Sequence, residues 1–356
     1  MKNSTFRLRL CIGILIGIIC LFLAFHKVQW QEFWLSLRSV MPQWILLGIV
    51  FSICNFLVRA FRWRVLLLSV KRLSVTDCLA YVMIGYMANA VLPFRLGEVA
   101  RPVLLGEIKQ ISKSAVLATI VLERLFDVLS LILLAIILAF VMDIPPKVRG
   151  GIFVVGSVAV AGFAILWVTS LRQKTDWIAR MIPSFIPDFV QRKGLALAES
   201  FIIGLKIFHR NREFLVVLIY SILSWGIVCV GATFYLKAFG FSLPWFAPPF
   251  EVMVINLGTM VPSSPGYVGV VHLLDVVALS VFGVGKSAAL GFAIVRHGVV
   301  YILTVSLGIF FLWREGIAWE KVGTIETEAS RHGAILEGQS QPKEGIPVIK
   351  SDSLPD

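Results

Sequence analysis

The sequence predicts an all-α polytopic membrane protein, with about six full spans and two broken or re-entrant helical hairpins. Its mean hydropathy is +0.87, and 58% of its 356 residues are hydrophobic whereas only 15% are charged. A soluble domain would carry about a quarter charged residues, so this composition is typical of the membrane class. Apolar runs of about twenty residues, the length that crosses a bilayer core of about 30 Å, recur along the chain.

Six of these apolar runs are long enough to form full spans. They cover residues 8–25, 42–68, 115–142, 150–171, 213–239 and 287–313. The first run follows Lys2, Arg7 and Arg9, as in a signal peptide, but it lacks a small-residue cleavage site. We therefore expect it to be retained as a first membrane helix. Between residues 172 and 212 a mixed aromatic and basic segment predicts helices that lie on the membrane surface.

Two further apolar stretches are interrupted by helix-breaking residues. Residues 78–94 are broken at Pro93–Gly97, and residues 248–282 are broken at Pro262–Gly269. The uninterrupted run before the first break is about fifteen residues, which is short for a span. This length favours a re-entrant hairpin that enters and leaves on one side, and a pair of full spans is the alternative.

Basic residues indicate the orientation of the chain. If the N-terminus is cytoplasmic and both broken stretches are re-entrant, the cytoplasmic segments before the tail hold 21 Lys and Arg, against six on the outside. This bias follows the positive-inside rule, so we expect a multi-pass protein with both termini cytoplasmic. The net charge of +12 then reflects topology and contact with anionic lipid headgroups, and we expect no nucleic-acid partner.

The same topology exposes a similarity between two halves of the chain. Residues 42–142 and 213–313 each read as span, hairpin and span, in opposite senses. Each half places an asparagine before the proline of its break and an arginine inside its last span: Asn89 and Arg124, then Asn256 and Arg296. This pattern indicates an inverted repeat, an architecture in which transporters place their site at the repeat interface. Chance similarity is the alternative interpretation.

Composition divides the chain into two regions. We expect a transmembrane domain over residues 1–315 and a disordered cytoplasmic tail over residues 316–356, because the tail is rich in Gly, Ser, Glu and Pro. The five cysteines occur singly, and no metal-binding or nucleotide-binding motif is complete. We therefore expect no metal and no cofactor.

The strongest chemical signal is a group of charges inside a predicted span. Glu123, Arg124 and Asp127 would lie about 12–18 Å deep at a rise of 1.5 Å per residue. Charges at that depth cost several kcal/mol unless they are paired or hydrated. A structural ion cluster between helices is one interpretation, and a hydrophilic site that faces a cavity is the one we favour.

The second signal surrounds the first break. It comprises Asn89, Pro93, Arg95, Gly97, Glu98 and Arg101. Pro93 and Gly97 free backbone groups near membrane depth, which is tolerated only against protein or water. Arg95 and Arg101 offer planar guanidinium groups suited to phosphate, and Glu98 is placed to hold one of them. A solvated cytoplasmic loop is the alternative.

Two further signals lie in the second half. Pro262, Pro265, Gly266 and Gly269 predict a tight turn with approachable backbone, followed by a polar pair of His272 and Asp275. An extracellular turn is the alternative. Arg296 lies deep in the last span and requires a partner or water. By contrast, the arginines and tryptophan at 59–64 end a span, so we interpret them as snorkelling at the interface, with no site role.

Three ordered motifs resemble the lysylphosphatidylglycerol synthase transmembrane family, also called the flippase-like domain family. They are the stretches Asn89–Arg101, Glu123–Asp127 and Pro262–Gly269. The resemblance covers about residues 1–315 and includes the run at 59–64 and Arg296. It implies a membrane domain that moves lipids between leaflets. The family often has a glycine where Tyr267 stands and an acidic residue near the position of His272.

In the best-known members of that family, the domain flips an aminoacylated phosphatidylglycerol made by a fused cytoplasmic transferase. Relatives without the transferase are linked to polyprenyl-linked sugars and hopanoid-related lipids. Only about forty residues follow the last predicted span, too few for a transferase domain. We therefore expect a protein that is not an enzyme.

Together with the resemblance, these inferences give one functional expectation, the translocation of a phosphate-bearing lipid between the leaflets of a bacterial plasma (inner) membrane. The expected partners are membrane lipids and a separate lipid-modifying enzyme. The residues expected to contact the lipid are Asn89, Arg95, Glu98, Arg101, Glu123, Arg124, Asp127, Asn256 and Arg296. Two alternatives stay open: a membrane transferase with Glu123 or Asp127 as base, and a scaffold of a lipid-modifying complex that transports nothing.

Overall fold

The computed structural model describes residues 2–92, 96–143, 146–171, 188–260 and 264–319. Within these ranges the chain forms twelve α-helices and two short 3-10 turns, and no β-strand. The prediction of an all-α membrane protein is confirmed. The predicted tail lies almost entirely outside the described residues, as do Pro93, Arg95 and Pro262.

The helices are numbered here in chain order. They are α1 Lys2–Phe25, α2 Trp30–Arg38, α3 Pro42–Leu67, α4 Val75–Val91, α5 Gly97–Lys109, α6 Lys113–Ala139, α7 Pro146–Leu171, α8 Asp188–Gly204, α9 Asn211–Ala238, α10 Ala247–Gly258, α11 Val270–Ser280 and α12 Lys286–Arg314. The 3-10 turns are Leu205–His209 and Pro265–Tyr267. Local sequence explains several helix starts. Pro42 begins α3, and Ser74 and Asp77 form a reciprocal capping box at the start of α4.

The structure shows fewer clear membrane spans than the six predicted. Within the described residues, α3, α7, α9 and α12 are long and apolar enough to cross a membrane. The first apolar run is not a straight span followed by a loop, because α2 turns from α1 by 92° after Phe25. Helix α6 has 27 residues, about 40 Å at 1.5 Å per residue, but three charged residues, Glu123, Arg124 and Asp127, interrupt its apolar sequence.

The first broken stretch folds back on itself as a hairpin. Gly97, at the start of α5, lies so close to the carbonyl oxygen of Gly85 in α4 that a Cβ at residue 97 would overlap it. At the far ends of the same two helices, Lys109 Nζ lies 2.8 Å from Asp77 Oδ1. Helices α4 and α5 are therefore antiparallel along their length, an arrangement that both the re-entrant interpretation and a pair of full spans predict.

The second broken stretch forms a similar hairpin from α10 and α11. Near the turn, a Cβ at Gly258 would meet the side chain of Leu274 at 2.6 Å. At the open end, the rings of Phe250 and Phe282 meet edge to face with centroids 5.6 Å apart. This hairpin packs against α6, where Val252 and Leu131 join one hydrophobic cluster.

Helices α3 and α9 form an antiparallel pair between the two hairpins. Trp44 stacks on Phe234 near one end of the pair, and Phe61 stacks on Tyr220 near the other. The order α3, α4, α5, α6 recurs as α9, α10, α11, α12, with α4 packed on α12 and α10 packed on α6. This packing agrees with the inverted-repeat interpretation.

Residues between α7 and α9 are described only from residue 188 onward. There α8 packs against the start of α6, where Ser114 Oγ donates a hydrogen bond to the carbonyl oxygen of Leu197 at 2.8 Å. The first half of the segment predicted to lie on the membrane surface falls outside the described residues.

Candidate functional site

A cavity of about 540 Å³ lies where the tips of the two hairpins meet. At the meeting point, a Cβ added at Gly266 would lie 2.9 Å from the carbonyl oxygen of Ala90. Helices α3, α4, α6, α9, α10 and α12 all contribute to its wall. Its polar and charged lining residues are Asn55, Arg59, Tyr86, Asn89, Glu98, Arg124, Asp127, Asn256, Thr259, Tyr267, Arg296, His297, Tyr301 and Thr304.

The second hairpin tip needs unusual backbone geometry. Gly266, Tyr267 and Gly269 have φ values of 61°, 59° and 91°, all in the left-handed region. Tyr267 is strained there, and a glycine would not be. A Cβ at Gly269 would overlap the carbonyl oxygen of Gly17 in α1. Pro265 begins the short turn, so this break places backbone against both α1 and the cavity.

Asp127 is the centre of the first ion cluster. Its Oδ1 lies 2.7 Å from Arg62 Nη1, and its Oδ2 lies 3.3 Å from Arg59 Nη1 and 3.5 Å from Arg124 Nη1. The contact with Arg124 spans three residues of one helix, as the spacing predicts. Three guanidinium groups thus surround one carboxylate, which offsets the cost of its burial.

Glu123 lies behind the cavity wall and is fully buried. Its Oε2 accepts a hydrogen bond from Arg101 Nη2 at 3.0 Å, and its Oε1 accepts one from Arg124 Nη2 at 2.7 Å. Arg62 Nη2 approaches the same Oε1 at 3.4 Å. Arg124 therefore joins the two carboxylates of α6, and its Nε faces Glu98 of α5 at 3.8 Å.

The interpretation of residues 59–64 as snorkelling side chains is wrong for three of them. Arg62 and Trp63 have no exposed surface, and Arg59 is also buried. Arg101 stacks 4.0 Å above the Trp63 ring, and Trp63 Nε1 donates a hydrogen bond to Thr119 Oγ1. A count of charges in the sequence would have indicated this burial. Glu123 and Asp127 are two carboxylates inside a span, and they require more cations than Arg124 alone supplies.

A second ion cluster occupies the other half of the molecule. Arg296 Nη2 donates a hydrogen bond to Asp275 Oδ2 at 2.8 Å, and Arg296 Nε lies 3.4 Å from Glu251 Oε1. The sequence predicted a polar pair of His272 and Asp275. In the structure Asp275 contacts Arg296 instead, and His272 Nδ1 accepts a hydrogen bond from the backbone N–H of Gly269. Glu251 was missed, although a lone carboxylate inside an apolar helix is itself a signal.

The structure brings most of the expected contact residues to the cavity. Asn89, Glu98, Arg124, Asp127, Asn256 and Arg296 line it. Arg101 and Glu123 do not line it, since they pair with each other behind the wall. Arg95 lies outside the described residues. Among the described residues, no group of three His, Cys, Asp or Glu side chains could hold a metal ion.

The fold and site together define a class: a multi-pass helical membrane protein in which two helical hairpins enclose an arginine-lined cavity. The chain belongs to the family described as the lysylphosphatidylglycerol synthase TM region, which matches residues 10–308. The resemblance seen in the sequence is thereby confirmed.

Three archaeal proteins, each called a UPF0104 membrane protein, are similar over most of their length. The Methanothermobacter thermautotrophicus protein is 21% identical over 83% of this chain and 92% of its own. The Pyrococcus horikoshii protein is 23% identical over 75% of this chain and 85% of its own. The Methanocaldococcus jannaschii protein is 24% identical over 63% of this chain and 92% of its own. No solved structure matches the chain.

Proposed function

We propose that the protein moves a phosphate-bearing lipid between the two leaflets of a membrane. One observation carries this proposal: Arg59, Arg124 and Arg296, from three different helices, line a single cavity between the hairpin tips. Among the described residues of that wall, two are carboxylates, Glu98 and Asp127. The lining therefore favours an anion.

The shape and chemistry of the cavity suit a lipid headgroup. Its volume of about 540 Å³ falls in the range of ligand pockets, about 300–1,000 Å³. Guanidinium groups bind phosphate oxygens through paired, charge-assisted hydrogen bonds. Because the cavity holds only a headgroup, the acyl chains would remain in the bilayer while the headgroup crosses.

The ion pairs of the site give each residue a role in the proposed movement. A phosphate that enters would compete with Asp127 and Glu98 for Arg59 and Arg124, so that the cations change partners and stay paired. Arg62 and Arg101 are positioning residues in this scheme, because they hold the carboxylates of α6 from behind the wall. Asn89 and Asn256 would contribute neutral hydrogen bonds to the headgroup.

We propose transport and not chemistry on the lipid. The enzymatic alternative requires Glu123 or Asp127 as a base. Glu123 does not reach the cavity, and Asp127 contacts three guanidinium groups, which makes it a poor proton acceptor. That a separate enzyme makes the lipid stays a prediction.

We also propose a plasma-membrane location with both termini cytoplasmic. Because Arg59, Arg62 and Arg101 are buried, they are not counted among the basic residues of the cytoplasmic segments. The count is then 18 Lys and Arg inside against six outside. The excess still follows the positive-inside rule. The expected bacterial source stays a prediction, since the three similar proteins named above are archaeal.

The proposal is tested by leaflet-resolved dithionite quenching in proteoliposomes that contain a fluorescent phosphatidylglycerol. Arg124→Gln removes a cavity cation, so we expect at least a tenfold slower exchange, about 1.4 kcal/mol in the barrier. Arg38→Gln makes the same chemical change on the exposed face of α2 and serves as the matched control. A fluorescent glucosylceramide, which lacks phosphate, should not move faster than in empty vesicles.

Equal rates for the wild-type protein and Arg124→Gln would contradict the proposal. The scaffold alternative expects a different pattern, in which Arg124→Gln lowers thermal stability in detergent and no variant changes lipid movement. Measuring stability and flux on the same preparations separates the two.

A further inference from the structure

Two buried carboxyl groups in the second half of the site share one cation. Glu251 of α10 and Asp275 of α11 have no exposed surface. Arg296 of α12 lies 3.4 Å from the first and 2.8 Å from the second. In the first cluster Glu123 and Asp127 each contact three arginines, whereas here one arginine contacts two acids.

The hydrogen bonding of this pair is incomplete within the described residues. Both side-chain oxygens of Glu251 and Oδ1 of Asp275 are buried without a hydrogen-bond partner. A buried ionised carboxylate requires such partners or a cation. One member of the pair is therefore better accommodated as a neutral acid that carries a proton.

Among the described residues, Arg296 is the one cation within ion-pair distance of Glu251 and Asp275. The described part of α6 and of α7 contributes hydrophobic side chains there, such as Leu134 and Ile152, and residues 11–25 of α1, which packs on α11, carry no charge. The titratable neighbours are Cys229 and Tyr235 of α9, His272 of α11 and His297 of α12. Arg59, Arg124 and Asp127 lie across the cavity.

Arg296 connects this pair to the proposed lipid path, because its side chain also lines the cavity. If a phosphate takes over the guanidinium of Arg296, the remaining carboxylate loses its cation inside a dry environment. That carboxylate can then take one proton from water in the cavity. One negative charge and one positive charge would enter together, and the buried charge would not change.

We propose that Glu251 and Asp275 form a proton-carrying site, and that a proton accompanies the phosphate-bearing headgroup across the membrane. This inference rests on the proposed function and names its coupling ion. It follows from reciprocal linkage: if anion binding at Arg296 favours proton binding at the acid pair, the proton favours the anion equally.

Proton uptake on binding tests the inference without any transport. Purified protein in weakly buffered detergent solution is mixed with dihexanoylphosphatidylglycerol, and a pH-indicator dye reports protons taken up. We expect about one proton per bound probe for the wild-type protein, whose affinity falls about tenfold per pH unit in the alkaline range. Glu251→Gln/Asp275→Asn should bind the probe with no uptake and no pH dependence.

Glu32→Gln, on the exposed face of α2, is the matched control and should behave as the wild-type protein. Binding by the wild-type protein without proton uptake would overturn the inference, even if the double variant fails to fold. Unchanged uptake in a folded double variant would overturn the assignment to this pair.

Proteoliposomes separate this inference from the proposed function. An imposed pH gradient should drive net movement of fluorescent phosphatidylglycerol, whereas a Na⁺ gradient should not. Lipid exchange that ignores the pH gradient, or that responds to Na⁺, would overturn proton coupling and leave lipid translocation intact. Absence of any protein-dependent lipid exchange would overturn both.

Discussion

At the scale of single residues, Asp127 forms ion pairs with three arginines of the first cluster, as Glu123 also does. Its carboxylate lies within 3.5 Å of Arg59, Arg62 and Arg124. Removing this carboxylate alone lowers the free energy of unfolding more than replacing it together with its partners. Each guanidinium left behind is then a buried charge without a compensating anion.

Asp127→Asn is therefore expected to destabilise the protein by about 3–5 kcal/mol, the range for breaking a buried ion pair from one side. The amide keeps the size of the side chain and removes its charge, so the effect reports electrostatics and not a cavity. Thermal unfolding in detergent, followed by tryptophan fluorescence, measures it.

Glu107→Gln provides the comparison for that measurement. Glu107 pairs with Lys113 at 2.6 Å, and their side chains are 39% and 46% exposed, against 6% for Asp127. Exposed ion pairs contribute little to the free energy of unfolding, so this variant should unfold at the same temperature as the wild-type protein. Similar losses for both variants would mean that Asp127 is not held as the ion-pair geometry indicates.

The residue scale also shows why part of the site was visible in the sequence. Arg124 and Asp127 lie three residues apart on one helix, and that spacing alone brings them into contact. The pairs of Asp127 with Arg59 and Arg62 join residues 68 and 65 positions apart. No local spacing reports such a contact.

At the scale of elements, the α4–α5 hairpin depends on two glycines that face each other. Gly97 packs against the backbone of Gly85, and Gly85 also accommodates the side chain of Arg101. The hairpin therefore sets where Glu98 faces the cavity and where Arg101 reaches Glu123.

Gly97→Ala should splay this hairpin, because the added Cβ would overlap the carbonyl oxygen of Gly85. Backbone cannot yield as a flexible side chain does, so we expect overpacking to cost about 1–3 kcal/mol and lipid exchange to slow. Thermal unfolding and dithionite quenching on the same preparation measure both effects.

Gly226→Ala is the matched change in α9, where nothing lies within 4 Å of an added Cβ. Alanine is the better helix former, so this variant should be at least as stable as the wild-type protein. A Gly97→Ala protein as stable and active as Gly226→Ala would exclude close packing in the hairpin.

Sequence patterns located these elements well. The predicted spans 42–68, 213–239 and 287–313 correspond to helices Pro42–Leu67, Asn211–Ala238 and Lys286–Arg314. The 92° turn between α1 and α2 was not foreseen. A change of direction depends on what each helix packs against, and apolar length does not encode it.

At the scale of the whole molecule, the re-entrant interpretation predicts that both hairpins return to the side of the membrane from which they start. The short loops that join α3 to α4 and α5 to α6 should then face the same compartment, with the loop between α9 and α10 on the opposite side. Orientation by the positive-inside rule places the first two in the cytoplasm.

Labelling of intact cells tests this arrangement with a membrane-impermeant maleimide. Ser242→Cys, exposed between α9 and α10, should be labelled from outside. Arg72→Cys, exposed between α3 and α4, should be labelled only after the cells are permeabilised. The unmodified protein reports labelling of its own cysteines, and external labelling of residue 72 would contradict the topology.

Hydrophobic length and local spacing determined the class of this protein, the approximate spans, the two breaks and the charges buried in α6, because all of these depend on residues close together in the chain. Only the tertiary structure decided which cation meets which anion. Arg59, Arg62 and Glu251 acquired partners through the way distant helices pack and rotate against one another. The same packing brought two hairpin tips to one cavity, which neither half of the chain forms alone.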